Sequence, residues 1–389
     1  MEFAFTEEQV MIRDTAEGYL AELSSSEAVR SAMATEQGYL PDTWQRLCEE
    51  MYWQALTIPE EFGGLGLGYV ELAVVLEQMG RRLLCSPFYA TVCLATPALL
   101  LSGSDEQKAF WLPQIAEGSL TATLAYTGSN RWDASAVTAI ARPEGDGFVL
   151  EGELKYVPNG HSADLLIVAA RLEGSSGEQG VSLFAVPADS AGVERRWTPT
   201  MDQTRPQGTV QLSQCYVGSE ALLGKAGEAW PVLESVLQLA AIAQAAEQTG
   251  GAQQCLDITV DYLQERQQFG RVIASFQAIK HRCADMMVQV ECARSAVYYA
   301  ACVAQEFLEE SGDSEGLGAE LPQAAALAKG YCSDAFFDCA AESIQLHGGV
   351  GFTWEYDPHL YFKRAKSSET FLGSAAMHRE AIATHLLGE

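Results

Sequence analysis

Basic residues are scarce in this sequence. Its 24 Lys and Arg stand against 52 Asp and Glu, giving a formal charge of -28, and such a surface repels nucleic-acid phosphates and anionic membranes alike. Neither is an expected partner. Histidine is rarer still: the six copies include no HExxH pattern, so no metal site is expected. The ten cysteines form no Cys-x-x-Cys pair and no short secreted framework, which leaves reduced, largely buried thiols as their reading. No uninterrupted apolar run reaches membrane-spanning length, and Met1 leads into a polar helix without an apolar leader. The expectation is a cytoplasmic protein.

What is present is enough for a large, folded chain of more than one domain. The sequence has 389 residues, 48% of them hydrophobic and 20% charged, an ordinary globular balance. From Phe5 to Glu117 the apolar residues recur three and four apart, as in FTEEQVMIRDTAEGYLAEL and DTWQRLCEEMYWQAL, which predicts helices. The glycine-rich text Gly63–Gly68 has neither the spacing nor the strand-to-helix setting of a dinucleotide loop, so a Rossmann reading is rejected. From Ser119 the pattern changes to short strands (TATLAYTG, AVTAIARP, GFVLEGELKYVPNG, DLLIVAAR, VSLFAVP and GTVQLSQCYV) separated by Gly, Pro, Asn and Asp turns. From Trp230 long helical patterns return over roughly 231–265, 276–310, 319–347 and 358–386. The short polar loop 311–318 is the one low-complexity candidate. The predicted class is α+β: an N-terminal helical domain over 1–118, a small central β-barrel or sandwich over 119–225, and a C-terminal four-helix bundle over 226–389.

Several motifs sit at matching places in this layout. They are Arg266-Gln-Gln-Phe269-Gly270 followed by Phe276-Gln277, Gln345-Leu-His-Gly348-Gly349-Val-Gly351, Ile58–Gly64, Asp202–Arg205 and Arg364. Together, over essentially the whole chain, they resemble the acyl-CoA dehydrogenase family. The resemblance implies FAD, an acyl-CoA substrate, an electron-transfer flavoprotein as acceptor and α,β-dehydrogenation of the thioester. It also implies at least a dimer, because in that family these groups reach FAD across a subunit interface. Cofactor binding is thereby carried to Arg266, Phe269, Phe276, Gln277, Gln345, Gly348 and Gly349. The chemistry fits these residue types: an arginine fork neutralises a pyrophosphate, and a Gly-Gly turn lets backbone N–H groups approach a ligand that a Cβ would block. Tyr126, Thr127 and Tyr156 match the family's wall against the isoalloxazine ring. Departures lie there too. Tyr156 replaces the usual Trp, Pro158 the usual Thr, and Gly-Ser-Asn-Arg follows Thr127; a proline has no N–H or hydroxyl to give a flavin.

The catalytic base is the larger departure. In most of the family a glutamate precedes a glycine in the last helical region, and here that pair is Leu372-Gly373. At a second family position, on the first bundle helix, stands Ala240, followed by Ala241. Glu247 lies seven residues beyond Ala240, which returns it to the same helical face about 10 Å along the axis. Within LQLAAIAQAAEQTGGAQ it is the one acidic residue, and a carboxylate on such an apolar stripe is costly to ionise. The Ala-Ala-Glu-x-x-Gly-Gly text is similar to subfamilies acting on steroid side-chain CoA esters, where a glutamate so placed is implicated as base. Glu247 is therefore the expected base, with Glu369 a weaker candidate, while Leu372 and Gly373 are expected to bind substrate through the backbone. Ala240, Ala243 and Ala246 leave room for a bulky ring or steroid side chain, or equally for close helix packing. The assembly implied is a homo-oligomer or an α2β2 heterotetramer with a paralogous chain. In the latter, the competing reading is a non-catalytic subunit that completes its partner's FAD site.

Overall fold

The computed structural model of the chain describes residues 6–129, 131–309 and 316–388. The expected loop over 311–318 lies outside the described residues as far as 315, as do Asn130 and position 310. Helices, a sheet and helices follow one another in the order that the changes of period imply. The helices are α1 (Glu7–Leu23), α2 (Ser26–Met33), α3 (Pro41–Arg46), α4 (Tyr69–Arg81), α5 (Thr96–Ser102), α6 (Asp105–Ala116), α7 (Trp230–Glu265), α8 (Gln277–Glu309), α9 (Leu321–His347), α10 (Pro358–Thr370) and α11 (Ala375–Leu387). Among the described residues no helix is long and apolar enough to cross a membrane.

Two compact units emerge. One gathers the described residues of Met1–Arg30, Tyr69–Leu84 and Ala241–Glu389; the other comprises Ser31–Gly68 and Cys85–Ala240. In the helical unit α9 lies against α8, α10 and α11, while α4 packs on α1 and α8. The backbones of α4 and α7 touch. A Cβ on Gly80 would stand 2.0 Å from the Glu247 carbonyl oxygen, and one on Gly250 would stand 1.8 Å from that of Glu77. On the next residue, a Cβ on Gly251 would meet the Phe336 ring of α9 at 2.4 Å. The glycine pair after Glu247 is thus required by packing, because only a residue without a side chain allows so close a crossing. Glu77 at the same crossing pairs with Arg294 of α8 at 3.0 Å.

The helix expected over 358–386 is broken. α10 stops at Thr370, and α11 begins after Ser374, whose hydroxyl accepts from Met377 N–H as an N-cap. Between them Leu372 has φ +59° and Gly373 φ +97°, and two successive left-handed residues end an α-helix.

In the second unit the strands are β1 (Ala122–Ala125), β2 (Ile140–Glu144), β3 (Gly147–Pro158), β4 (Leu165–Leu172), β5 (Val181–Pro187), β6 (Val193–Thr198), β7 (Gln207–Gly218) and β8 (Leu222–Leu223). They make one mixed sheet in the order β6-β7-β3-β2-β4-β5-β8, with β1 joined in parallel to β4. Leu150, Leu154, Val157, Leu166, Val168, Phe184, Val186, Val210 and Leu212 fill its core. The long β3–β7 ladder slips register between Leu154 and Val157, and Tyr156 inside that bulge has φ +57°. The glycine-rich text near residue 65 is a packing turn. Its Leu65, Gly66 and Leu67 amides donate to Ala55, Ile58 and Leu56 carbonyls at 2.9 Å each, so none is left to cradle a phosphate.

Candidate active site

In the helical unit the two expected cofactor motifs come to neighbouring helix ends. His347, at the end of α9, stacks on Tyr262 of α7 with ring centroids 4.4 Å apart, and its Nδ1 sits 2.7 Å from the Ser343 carbonyl. This contact sets the Gln345–Gly349 turn beside the end of α7, where Tyr262 O also accepts from Arg266 N–H at 2.9 Å. Arg266 is exposed. It opens a small hairpin, β9 (Gln267–Gln268) against β10 (Arg271–Val272), whose tip residues Phe269 and Gly270 have φ of +53° and +76°. Positive φ at both tip residues is what a tight hairpin turn demands. A phenylalanine meets that demand under strain, and the side chain it presents is 91% exposed. Phe276 lies edge-on to it at 6.1 Å and carries the Arg271 guanidinium 3.9 Å above its own ring. Gln277 begins α8.

At the Gly348-Gly349 turn, Gly348 has φ +65°. A Cβ on either glycine would meet nothing within 4 Å, so the chain's own packing does not require Gly349 to lack a side chain. A cavity of about 410 Å³ opens there, lined by Gln345, Gly348, Gly349, Ile344, Phe352 and Phe362 among others. An open, glycine-lined notch near an exposed arginine fits a phosphate-bearing cofactor.

In the sheet unit Lys155 N–H donates to Thr127 O at 2.7 Å, and the Thr123 hydroxyl donates to Pro158 O at 2.6 Å. These bonds bring Tyr126 and Thr127 alongside Tyr156 and Pro158. The Thr127 hydroxyl closes its own turn by donating to Ser129 O at 2.8 Å. Two polar atoms there are buried without a hydrogen-bond partner, Tyr126 Oη and Asn159 Nδ2. Burial, with Asp133 as a lesser cause, holds the Tyr126 hydroxyl well above the ordinary phenol range, so it is a neutral donor. Unsatisfied buried donors are uncommon, and two of them beside strained Tyr156 and Asn159 (φ +52°) fit a polar-edged ring that accepts hydrogen bonds. Ala240 is fully buried, and its carbonyl accepts from the Tyr89 hydroxyl at 2.8 Å. The Arg205 guanidinium stacks 4.4 Å over that tyrosine ring.

Glu247 is 7% exposed. Its neighbour on α7, Gln248, donates to Ser333 Oγ and Ser368 Oγ, at 3.1 Å each. These serines lead to a residue that sequence reasoning missed. Lys329 of α9 is fully buried, and its ammonium donates to Ser333 Oγ at 2.8 Å and to the carbonyls of Ser368 (3.0 Å), Gly373 (3.3 Å) and Glu369 (3.4 Å). His378 donates from Nε2 to Leu372 O at 2.9 Å. Burial, then the nearby Lys329 charge, pushes this imidazole down to about 4. The Leu372–Gly373 turn therefore has both carbonyls occupied, whereas no acceptor among the described residues takes the Leu372 N–H. The Glu369 carboxylate is held by Lys366 at 2.7 Å. The clue to Lys329 was a lone cation in the apolar text LPQAAALAKGYC, a stretch whose helix buries Ala324, Ala325, Ala328 and Cys332 and leaves Leu327 and Tyr331 exposed.

Known proteins similar to this chain belong to one family. Family models described as the acyl-CoA dehydrogenase N-terminal, middle and C-terminal domains match residues 6–119, 123–215 and 227–387. The acyl-CoA dehydrogenase IpdE2 of Mycolicibacterium smegmatis is 36% identical over 368 residues, 95% of each chain. Among solved structures, a chain of a variant of the Tcur3481-Tcur3483 steroid ACAD is 29% identical with a TM-score of 0.84 over 98% of both chains. A chain of the ChsE4-ChsE5 complex from Mycobacterium tuberculosis is 26% identical with a TM-score of 0.87 over 100% of both. With all three family segments present in order and a relative so similar along nearly its full length, the chain belongs to the acyl-CoA dehydrogenase family and is an acyl-CoA dehydrogenase.

Proposed function

We propose that the chain carries out FAD-dependent α,β-dehydrogenation of a bulky or branched acyl-CoA thioester, with Glu247 as the base and the Leu372 backbone N–H as a donor to the thioester carbonyl. FAD, when bound, supplies the acceptor for the β-hydrogen. The chain's own residues must make the α-proton acidic enough to leave. A donor on the thioester oxygen stabilises the enolate-like charge that develops there, and a carboxylate held out of water accepts the proton. The observation that carries this reading is the Leu372–Gly373 turn: its backbone is fixed, its carbonyls are occupied and its N–H is unclaimed. In this reading the backbone donor has stayed at the usual family position while the carboxylate has moved to α7.

The substrate class, a ring or steroid side chain, is supported by the small residues Ala240, Ala243 and Ala246 and by the steroid-named relative. Arg266, Phe269, Phe276, Gln277, Gln345, Gly348 and Gly349, and likewise Tyr126, Thr127 and Tyr156, are the residues that would hold FAD. Electrons would leave to an electron-transfer flavoprotein. The exposed Phe269 at the hairpin tip favours an assembly that covers it, either a homo-oligomer or an α2β2 heterotetramer with a paralogous chain. The second arrangement is in keeping with the ChsE4-ChsE5 complex, which joins two differently named chains. The heteromer also admits the second reading, in which this chain only completes its partner's FAD site; Leu372 and Pro158 favour it.

Anaerobic titration of the purified protein with straight, branched and steroidal CoA esters tests the proposal. Wild type is expected to be yellow and to bleach with a bulky ester. Glu247→Gln should keep the flavin and lose the bleaching, while Leu372→Ala should change it far less. Turnover retained by Glu247→Gln removes the base assignment. A chain that binds flavin only when mixed with a second subunit, and never bleaches, replaces the proposal with the second reading.

A further inference from the structure

We propose that Lys329 and His378 are positioning residues of this reaction: together they lock the Leu372–Gly373 turn in the one conformation that leaves the Leu372 N–H for the substrate. The inference rests on the function proposed above, but its geometry stands apart from it. Leucine rarely adopts φ +59°, because its Cβ crowds the following carbonyl. Such a conformation persists only where its surroundings over-determine it. Here each carbonyl of the turn is held by a different side chain, Leu372 O by His378 Nε2 at 2.9 Å and Gly373 O by Lys329 Nζ at 3.3 Å.

The choice of a lysine is otherwise hard to explain. A buried ammonium is expensive unless a carboxylate balances it, and none does so directly. The Glu369 carboxylate turns to Lys366, and Asp334 turns to Arg379. A methionine would fill the same volume without that penalty. Instead the cation meets Ser368 O and Glu369 O from the last turn of α10, together with Gly373 O beyond it. It thus sits at the negative end of that helix and ties the helix to the turn that follows. Ser333 Oγ joins it to Gln248, the residue beside Glu247. One buried network therefore carries both the turn and the helix of the expected base. His378 sits a few residues into α11 and needs no charge. As a neutral ring it can reach Leu372 O only by donating from Nε2, so the tautomer is fixed.

Hydrogen exchange of the FAD-loaded protein reads the lock directly. His378→Ala and Lys329→Met are expected to speed exchange in the peptide spanning 368–376 by about tenfold or more, the weight of one hydrogen bond, with α8 peptides unchanged. In the bleaching assay with the most effective CoA ester, His378→Ala should slow the first-order rate at saturating ester by about tenfold, also the weight of one hydrogen bond. Flavin content should stay at the wild-type level, and His378→Gln, which can still donate, should recover most of the rate. Where Lys329→Met does not fold, the His378 pair decides. Exchange in 368–376 equal to wild type in His378→Ala overturns the lock, and faster exchange with unchanged bleaching overturns its role in the reaction. If wild type itself bleaches with no ester, the proposed function fails, and exchange alone then judges the lock.

Discussion

Gly250→Ala and Gly18→Ala make the same chemical change in two helices of one unit, and they should move stability in opposite directions. Gly18 lies on the exposed side of α1, and a Cβ added there meets nothing within 4 Å. Alanine then restricts the unfolded chain at no steric cost and stabilises by about 0.5–1 kcal/mol. At Gly250 the same Cβ would lie 1.8 Å from the Glu77 carbonyl oxygen and 2.9 Å from Arg81 N. Ordinary contact begins at 3.4 Å, so the α4 and α7 backbones must part by about 1.6 Å at that point. Overpacking of a tight core costs roughly 1–3 kcal/mol, and a rigid backbone obstacle belongs at the upper end of that range. Set against the helix-propensity gain of about 1 kcal/mol, the net is a loss of roughly 2 kcal/mol. Gly80→Ala meets the Glu247 carbonyl at 2.0 Å and should lose a similar amount. One parting of the helices relieves both clashes, so the double variant should lose clearly less than the two single losses combined. Thermal unfolding by calorimetry at fixed FAD concentration measures all four. Gly250→Ala as stable as wild type, or a strictly additive double variant, would refute the backbone-to-backbone crossing.

The buried lysine makes stability depend on pH. Burial pulls Lys329 down to about 7 from its ordinary 10.5. Between these values the unfolded chain therefore holds a proton that the folded chain has lost. Stability gains at most about 1.4 kcal/mol per pH unit from this group as pH rises through that window, and nothing below it. Urea unfolding of wild type and Lys329→Met at pH 6, 7.5 and 9 should show this slope only in the difference between them, and parallel curves would exclude it. In the sheet unit the Arg171 guanidinium donates to the carbonyls of Ala134, Gly177 and Gln179 at 2.7–2.8 Å and of Val137 at 3.2 Å. Arg171→Met should cost about 3 kcal/mol by leaving those acceptors unsatisfied, and Arg171→Lys should recover little, because one ammonium cannot span the fork; calorimetry reads both. Gly349→Val introduces a side chain into open space, so it should leave the unfolding free energy of the flavin-free chain within about 1 kcal/mol of wild type while lowering bound flavin per subunit, measured by absorbance after gel filtration.

Much of this architecture is legible because burial imposes a period. β4 and β5 are buried nearly throughout and read as short apolar runs between turns; α8 and α9 read as long helices because one stripe recurs. β6 escapes for the same reason in reverse. Its text VERRWT is almost wholly exposed, on the edge of the sheet, and an edge strand carries no apolar alternation. The break at Leu372 is hidden by the apolar Phe371, Leu372 and Ala375, which continue the helical pattern across it; Gly373 and the N-cap Ser374 mark the place. Tyr156 could not be foreseen at positive φ, since the bulge that puts it there is set by pairing with β7. The joining of α1 and α4 to the C-terminal helices is a long-range fact. Gly80 and Gly250 were its only local trace.

The same reasoning bears on whether Leu372 signals a lost activity. In a helix-ending turn the main chain, not the side chain, sets the conformation, and a leucine held there at φ +59° is strained by roughly 1 kcal/mol or more. A turn without a task would relax at that position, for instance by letting its carbonyls face water. This one is kept from relaxing by a buried lysine amine and a tautomer-fixed imidazole. The backbone donor and the proton acceptor of this chemistry are separable groups, one a peptide N–H and the other a carboxylate, and only the second depends on the residue type at 372. Replacing Leu372 by glycine separates the two contributions: strain is relieved, but a buried side chain worth about 2 kcal/mol is lost, so the melting temperature should fall slightly. Bleaching by a CoA ester should nonetheless survive within about tenfold, because the N–H remains and its holders are intact. Loss of bleaching as complete as in Glu247→Gln would mean that the leucine side chain itself, and not the backbone beneath it, does the work at this position.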